Sequence, residues 1–264
     1  MSLGIQSICL FVILITKNAM KNLIRWSLTL GILINPISNL NLINPAPVVA
    51  LTQAEIVEFL SGVPVYSLLD QQGLPIGRQL EDGSVVTPVF MSRKEAQAFL
   101  QELKEIDSET ADSYRIQILP LSRIYEIARE TSTNSSRLFL DYIPSATELQ
   151  AARELVKEKG QKYPGDVPLY LAKIESDQSY LTIKQEDQEI VPVFFEKATI
   201  DQWIETVSQT RPELGQEINI NVISLSSLIA NLEKNDNDLL RSLRFWPSKE
   251  MMRIIRSSSE TQPQ

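Results

Sequence analysis

Residues 85–100 read VVTPVFMSRKEAQAFL and residues 189–204 read EIVPVFFEKATIDQWI. Pro88-Val89-Phe90 thus returns as Pro192-Val193-Phe194, 104 residues later. The same spacing, with no gap, takes Val63-Pro64 to Val167-Pro168, Tyr66 to Tyr170, Phe99 to Trp203, Ile116 to Ile220 and Leu121-Ser122 to Leu225-Ser226. A register held over roughly 60 residues indicates an internal duplication. Two copies of this length are too long to be solenoid units, and they predict two half-domains packed about a pseudo-twofold axis.

Local patterns fill in each half. Thr52-Gln53-Ala54-Glu55 has the residues of a capping box, and Ile56, Phe59 and Leu60 give the helix behind it one apolar face. Val63 to Leu69 reads as a strand with proline at its start, where a missing donor is tolerated. Residues 76–80 suggest a short strand, and Glu81-Asp82-Gly83 a hairpin turn. Val85 to Met91 is apolar on both faces, as expected of a strand covered on each side. Ser92-Arg93-Lys94-Glu95 looks like a second capping box, followed by Ala96, Phe99, Leu100 and Leu103 at helical spacing. A strand at 114–119 and a helix from Pro120-Leu121-Ser122 complete a β-β-β-α-β-α unit. Its third and fourth strands, joined by a helix, are expected to run parallel. Residues 131–144 read as connector, and Ser145-Ala146-Thr147-Glu148 caps a helix that stops at Gly160. The second copy then repeats the order, except that Glu196 stands where Ser92 would cap. The fold class is therefore mixed α/β (α+β), divided as 51–130 first half, 131–162 connector and helix, 163–234 second half and 235–264 basic C-terminal tail.

The first 50 residues differ from the rest. Lys17, Lys21 and Arg25 interrupt two Leu/Ile-rich runs, and neither run reaches the roughly 20 apolar residues of a membrane-spanning helix. Counted from Met20, a possible true start, the order is basic, apolar, then polar, ending Val48-Val49-Ala50. That is the plan of a cleaved export signal over residues 1–50. Without it the chain keeps 22 Lys/Arg and 33 Asp/Glu, a net charge of −11.

Composition narrows the chemistry. An acidic chain lacks the clustered Lys/Arg that displace phosphate counterions, which argues against nucleic acid as a partner. The sequence contains no histidine, so Ser-His-Asp and Cys-His nucleophiles and imidazole metal sites are excluded. The one cysteine, Cys9, lies in the leader. There is no phosphate-binding glycine loop and no calcium loop. Glu102/Glu105 and Glu186/Asp187/Glu189 read as solvated surface. No catalytic, cofactor-binding or metal-ligating residue stands out, and the expectation is a protein that is not an enzyme and needs no cofactor. Phe90, Phe99, Phe194 and Trp203 are the candidates for an apolar client groove, with plain core as the competing reading. Residues 239–256 carry a charge of +4 together with Phe245, Trp246 and apolar residues. Arg241, Arg244, Phe245 and Trp246 are accordingly candidates for contact with a partner or a membrane surface, unless the segment packs back onto the acidic body.

The motifs VPVY at 63–66, TPVFMSRKEAQAFLQELK at 87–104, RIQILPLSRIYEIA at 115–128 and VPVFFEKATIDQWI at 191–204 resemble the 22-kDa Tic family, soluble components of chloroplast protein import with cyanobacterial and apicoplast relatives. The resemblance covers about residues 52–233. It implies two α/β halves sharing an extended sheet flanked by helices, apolar grooves between sheet and helices, and chaperone-like help to proteins crossing an aqueous gap between membranes. The export signal fits the cyanobacterial branch and so the periplasm, with the thylakoid lumen as a second compartment. Implied partners are exported or outer-membrane precursors and the soluble domains of an Omp85-type assembly protein. The alternative is a scaffolding subunit that holds a folded envelope protein through its C-terminal tail. Polar residues at 175–188 suggest a shallower groove in the second half.

Overall fold

The computed structural model describes residues 50–132, 137–185 and 188–260. The leader through residue 49 with Cys9, residues 133–136 of the connector, Glu186, Asp187 and residues 261–264 lie outside the described residues.

The chain begins α1 (Gln53–Ser61), β1 (Pro64–Leu69), β2 (Arg78–Gln79), β3 (Val85–Phe90), α2 (Arg93–Ile106), α3 (Ser108–Ser113), β4 (Arg115–Pro120), α4 (Leu121–Thr131), β5 (Leu138–Ile143) and α5 (Ala146–Glu158). It continues β6 (Pro168–Ile174), β7 (Ile183–Gln185), β8 (Gln188–Phe194), α6 (Lys197–Thr210), α7 (Pro212–Gly215), β9 (Ile218–Ser224), α8 (Leu225–Leu232), α9 (Asp238–Ser242), β10 (Leu243–Trp246) and α10 (Lys249–Glu260). The Thr52 capping box forms: Thr52 Oγ1 accepts from Glu55 N (3.3 Å) and Glu55 accepts from Thr52 N (2.8 Å). The box expected at Ser92 does not. Ser92 Oγ turns to the Glu95 carboxylate, whose other oxygen accepts from Ala146 N of α5 at 3.2 Å, so Glu95 serves a neighbouring helix instead of its own. At the far end of α5, Gly160 takes φ +70°, a conformation that relieves the last carbonyls at no steric cost.

Two five-stranded sheets follow one pairing scheme. β3 pairs β1 and β5, β1 pairs β4, and β2 lies on β3; likewise β8 pairs β6 and β10, β6 pairs β9, and β7 lies on β8. Tyr66 sits opposite Phe90 in one and Tyr170 opposite Phe194 in the other. β3 and β4 both run antiparallel to β1, hence parallel to each other with β1 between them. β5 and β10 are the parallel members, setting Leu140 against Thr87 and Leu243 against Val191.

Three expectations change. Residues 138–143 are not connector but a full edge strand, and residues 243–246 of the tail are its counterpart. The single extended sheet is replaced by two, with no strand pair joining them among the described residues. Alternation explains this. Val65, Val89, Leu169, Leu171 and Val193 all point into one apolar core shared with α1, α4 and α8. Tyr66, Leu68 and Phe90 point the other way toward α2, and Tyr170, Ala172 and Phe194 toward α6. Burying faces removes far more apolar area from water than joining two edges would.

Candidate functional site

The aromatic residues singled out by sequence divide by depth. Phe90 and Phe194 are 2% and 1% exposed and form the floors of the two outer cores, so they are not open to a client. Phe99 packs on Phe90 at 5.3 Å between ring centroids, and Trp203 on Phe194 at the same distance. The second floor has a further neighbour. Parallel pairing places Trp246 beside Phe194, with their rings 5.7 Å apart, and leaves Trp246 43% exposed. The sequence leaves Trp246 between partner contact and packing onto the body, because a parallel edge strand arriving some 50 residues later leaves no local signal.

A groove of about 400 Å³ opens between α5, α6 and β9. Leu155, Ile204, Ile218 and Ile220 provide its apolar wall, while Glu158, Asp201 and Glu205 stand around it. Lys159 Nζ donates to the Ile220 carbonyl (3.0 Å), and Lys197 pairs with Asp201 (2.6 Å). Among the described residues, none of 175–185 lines the groove. The sequence carried a signal for this wall: Ile204 and Ile220 repeat Leu100 and Ile116 at the 104-residue spacing. Only the fold brings Leu155 of α5 to it.

A second cavity, about 260 Å³, lies where the first turns of α2, α5, α6 and α10 converge. Here two glutamates each reach the start of a neighbouring helix. Glu148 of α5 accepts from Lys197 N of α6 (2.9 Å), and its backbone carbonyl accepts from the Tyr170 hydroxyl (3.0 Å). Glu250 of α10 accepts from Arg93 N of α2 (3.1 Å) and from the Tyr66 hydroxyl (2.6 Å). Carboxylates at these positions satisfy N–H groups that a helix start leaves without partners. Burial pushes the Glu148 carboxyl above the usual carboxylate range, and burial followed by Glu250 raises Tyr66. Among the described residues no group of three His, Cys, Asp or Glu side chains is placed to hold a metal ion. Glu148, Glu196 and Glu250 around this cavity are each engaged with the start of a helix.

The tail candidates are largely absorbed into the body. Arg241 grips Asp236 with two hydrogen bonds (2.6 and 2.7 Å) and reaches Glu55 of α1 (2.8 Å). Phe245 packs between Phe59 (4.6 Å) and Phe195 (5.0 Å). Arg244 bonds to the carbonyls of Arg241 and Leu243, and Trp246 keeps an open face. The partners of these basic and aromatic residues lie across the chain: Arg241 and Glu55 are 186 residues apart.

The sequence model of the Tic22-like family matches residues 25–257. The chain is 21% identical over 193 residues to Protein TIC 22, chloroplastic, of Pisum sativum, covering 73% of this chain and 71% of that protein. It superposes on Anabaena Tic22, described as a protein of protein transport, with a TM-score of 0.67 and 27% identity, over 81% of this chain and 99% of the other. Tic22 from Plasmodium falciparum shares the fold at a TM-score of 0.56 and 18% identity, over 79% and 99% of the two chains.

Proposed function

The chain belongs to the Tic22-like family, and from that premise we propose that it is a non-enzymatic chaperone of protein transport, holding partly unfolded precursors in the periplasm on their way to the outer membrane. The open groove between α5, α6 and β9 carries this reading: an apolar wall in water suits a passing apolar segment better than a small substrate. Trp203 and Trp246 extend the apolar surface over Phe194. We read the two sheets as products of an internal duplication, a reading supported by their common pairing scheme and the 104-residue spacing. On this reading the clients are exported or outer-membrane precursors, delivered to the soluble domains of an Omp85-type assembly protein.

The test is light scattering by a chemically unfolded outer-membrane precursor diluted into buffer with the protein lacking residues 1–50. Suppression of aggregation near equimolar ratio is expected; no suppression at several-fold excess would refute the chaperone reading. The scaffolding alternative depends on the tail, where Arg241 and Phe245 are already engaged within the body. Crosslinking in the envelope should return many precursors, whereas a single stoichiometric protein would favour the scaffold.

A further inference from the structure

The two halves differ in charge where they agree in apolar pattern. At the 104-residue spacing, Ile204, Ile218 and Ile220 of the groove correspond to Leu100, Tyr114 and Ile116 of the first half, all apolar or aromatic. The residues between them do not correspond in charge. Asp201, Glu205 and Asn219 of the groove stand where the first half has Gln97, Gln101 and Arg115. Glu158 of α5 adds a third carboxylate, and Lys159 of the lining is held to the Ile220 carbonyl.

We infer that the groove between α5, α6 and β9 selects cationic amphipathic segments, whose apolar side rests on Leu155, Ile204 and Ile220 while Lys or Arg side chains meet Glu158 and Glu205. This deepens the client-binding reading and rests on it. The apolar wall supplies affinity without discrimination, since burial is non-directional. The carboxylates supply the choice, because a negative partner segment would meet like charge across the groove. Asp201 contributes less, being paired with Lys197.

The probe is a fluorescein-labelled helical peptide of Leu and Lys with Leu at i, i+3, i+4 and i+7, compared by anisotropy with its Leu/Glu counterpart. At low ionic strength the protein should bind the Lys peptide in preference, and 0.5 M salt should reduce that preference. Glu158→Gln with Glu205→Gln should weaken the Lys peptide about fivefold, as expected for two exposed charge contacts, and leave the Leu/Glu peptide no weaker. Glu102→Gln with Glu105→Gln removes the same charge from the exposed face of α2 and should change nothing. Equal losses in both double variants would trace the effect to overall charge and overturn the proposal, as would equal binding of the two peptides by the unaltered protein. Aggregation suppression measured on the same preparations separates the two readings: suppression without charge preference defeats this inference alone, and no suppression defeats the chaperone reading.

Discussion

Replacing Glu250 with alanine should destabilise the whole protein although the residue lies near its C-terminal end. Glu250 Oε1 receives the Tyr66 hydroxyl at 2.6 Å and Arg93 N at 3.1 Å, tying α10 to β1 and to the start of α2. Tyr66 is 4% exposed, so its hydroxyl has little water to turn to. A hydrogen bond to a charged acceptor contributes about 1.5–3 kcal/mol, and Glu250 is half-buried, so the substitution should cost about 2 kcal/mol. Each kcal/mol moves the melting temperature of a chain this size by about 2–4 °C, giving a drop of roughly 4–8 °C. Urea unfolding of the Glu250→Ala, Tyr66→Phe and double variants forms a double-mutant cycle. A coupling of about 1 kcal/mol is expected between two groups in direct contact. A loss below about 0.5 kcal/mol for Glu250→Ala, or strict additivity with Tyr66→Phe, would mean that α10 is detachable from the body.

Glu148 has its folded pKa raised above the ordinary 4.5 by burial, so its contribution to stability is fully present below pH 4.5 and is lost as pH rises through the folded value. Urea midpoints measured from pH 4.5 to 8 should therefore fall with a slope that Glu148→Gln reduces. Thr87 Oγ1 is buried with no hydrogen-bond partner among the described residues, and Thr87→Val, which keeps the shape and removes the hydroxyl, should raise unfolding stability by about 1 kcal/mol in the same assay.

The elements that sequence revealed are those with local causes. Thr52 and Glu55 are three residues apart and cap each other, so the start of α1 is legible from four letters. Val85 to Phe90 is apolar on both faces because each face meets a different core, one around Val89 and one around Phe90. The spacing of Ile200, Trp203, Ile204 and Val207 likewise marks the side of α6 that packs inward. Ser92 shows where local inference stops: its neighbours spell a capping box, yet Glu95 is drawn away to Ala146, 51 residues on.

For the candidate site, the chain by itself determined the apolar residues and their repetition, since alternation and helical spacing are properties of consecutive side chains. It also determined the absence of histidine chemistry, because composition does not depend on folding. Tertiary structure alone decided which of those residues are sealed and which are open. Phe90 and Phe194 lie beneath helices, while Trp246 reaches the surface on a strand whose partner stands 52 residues earlier in the chain. It also turned a basic tail into structural material by giving Arg241 and Glu250 their partners Glu55 and Tyr66, both more than 180 residues away. Contacts at that separation are chosen by the packing of whole sheets and helices, and no short window of sequence contains both members.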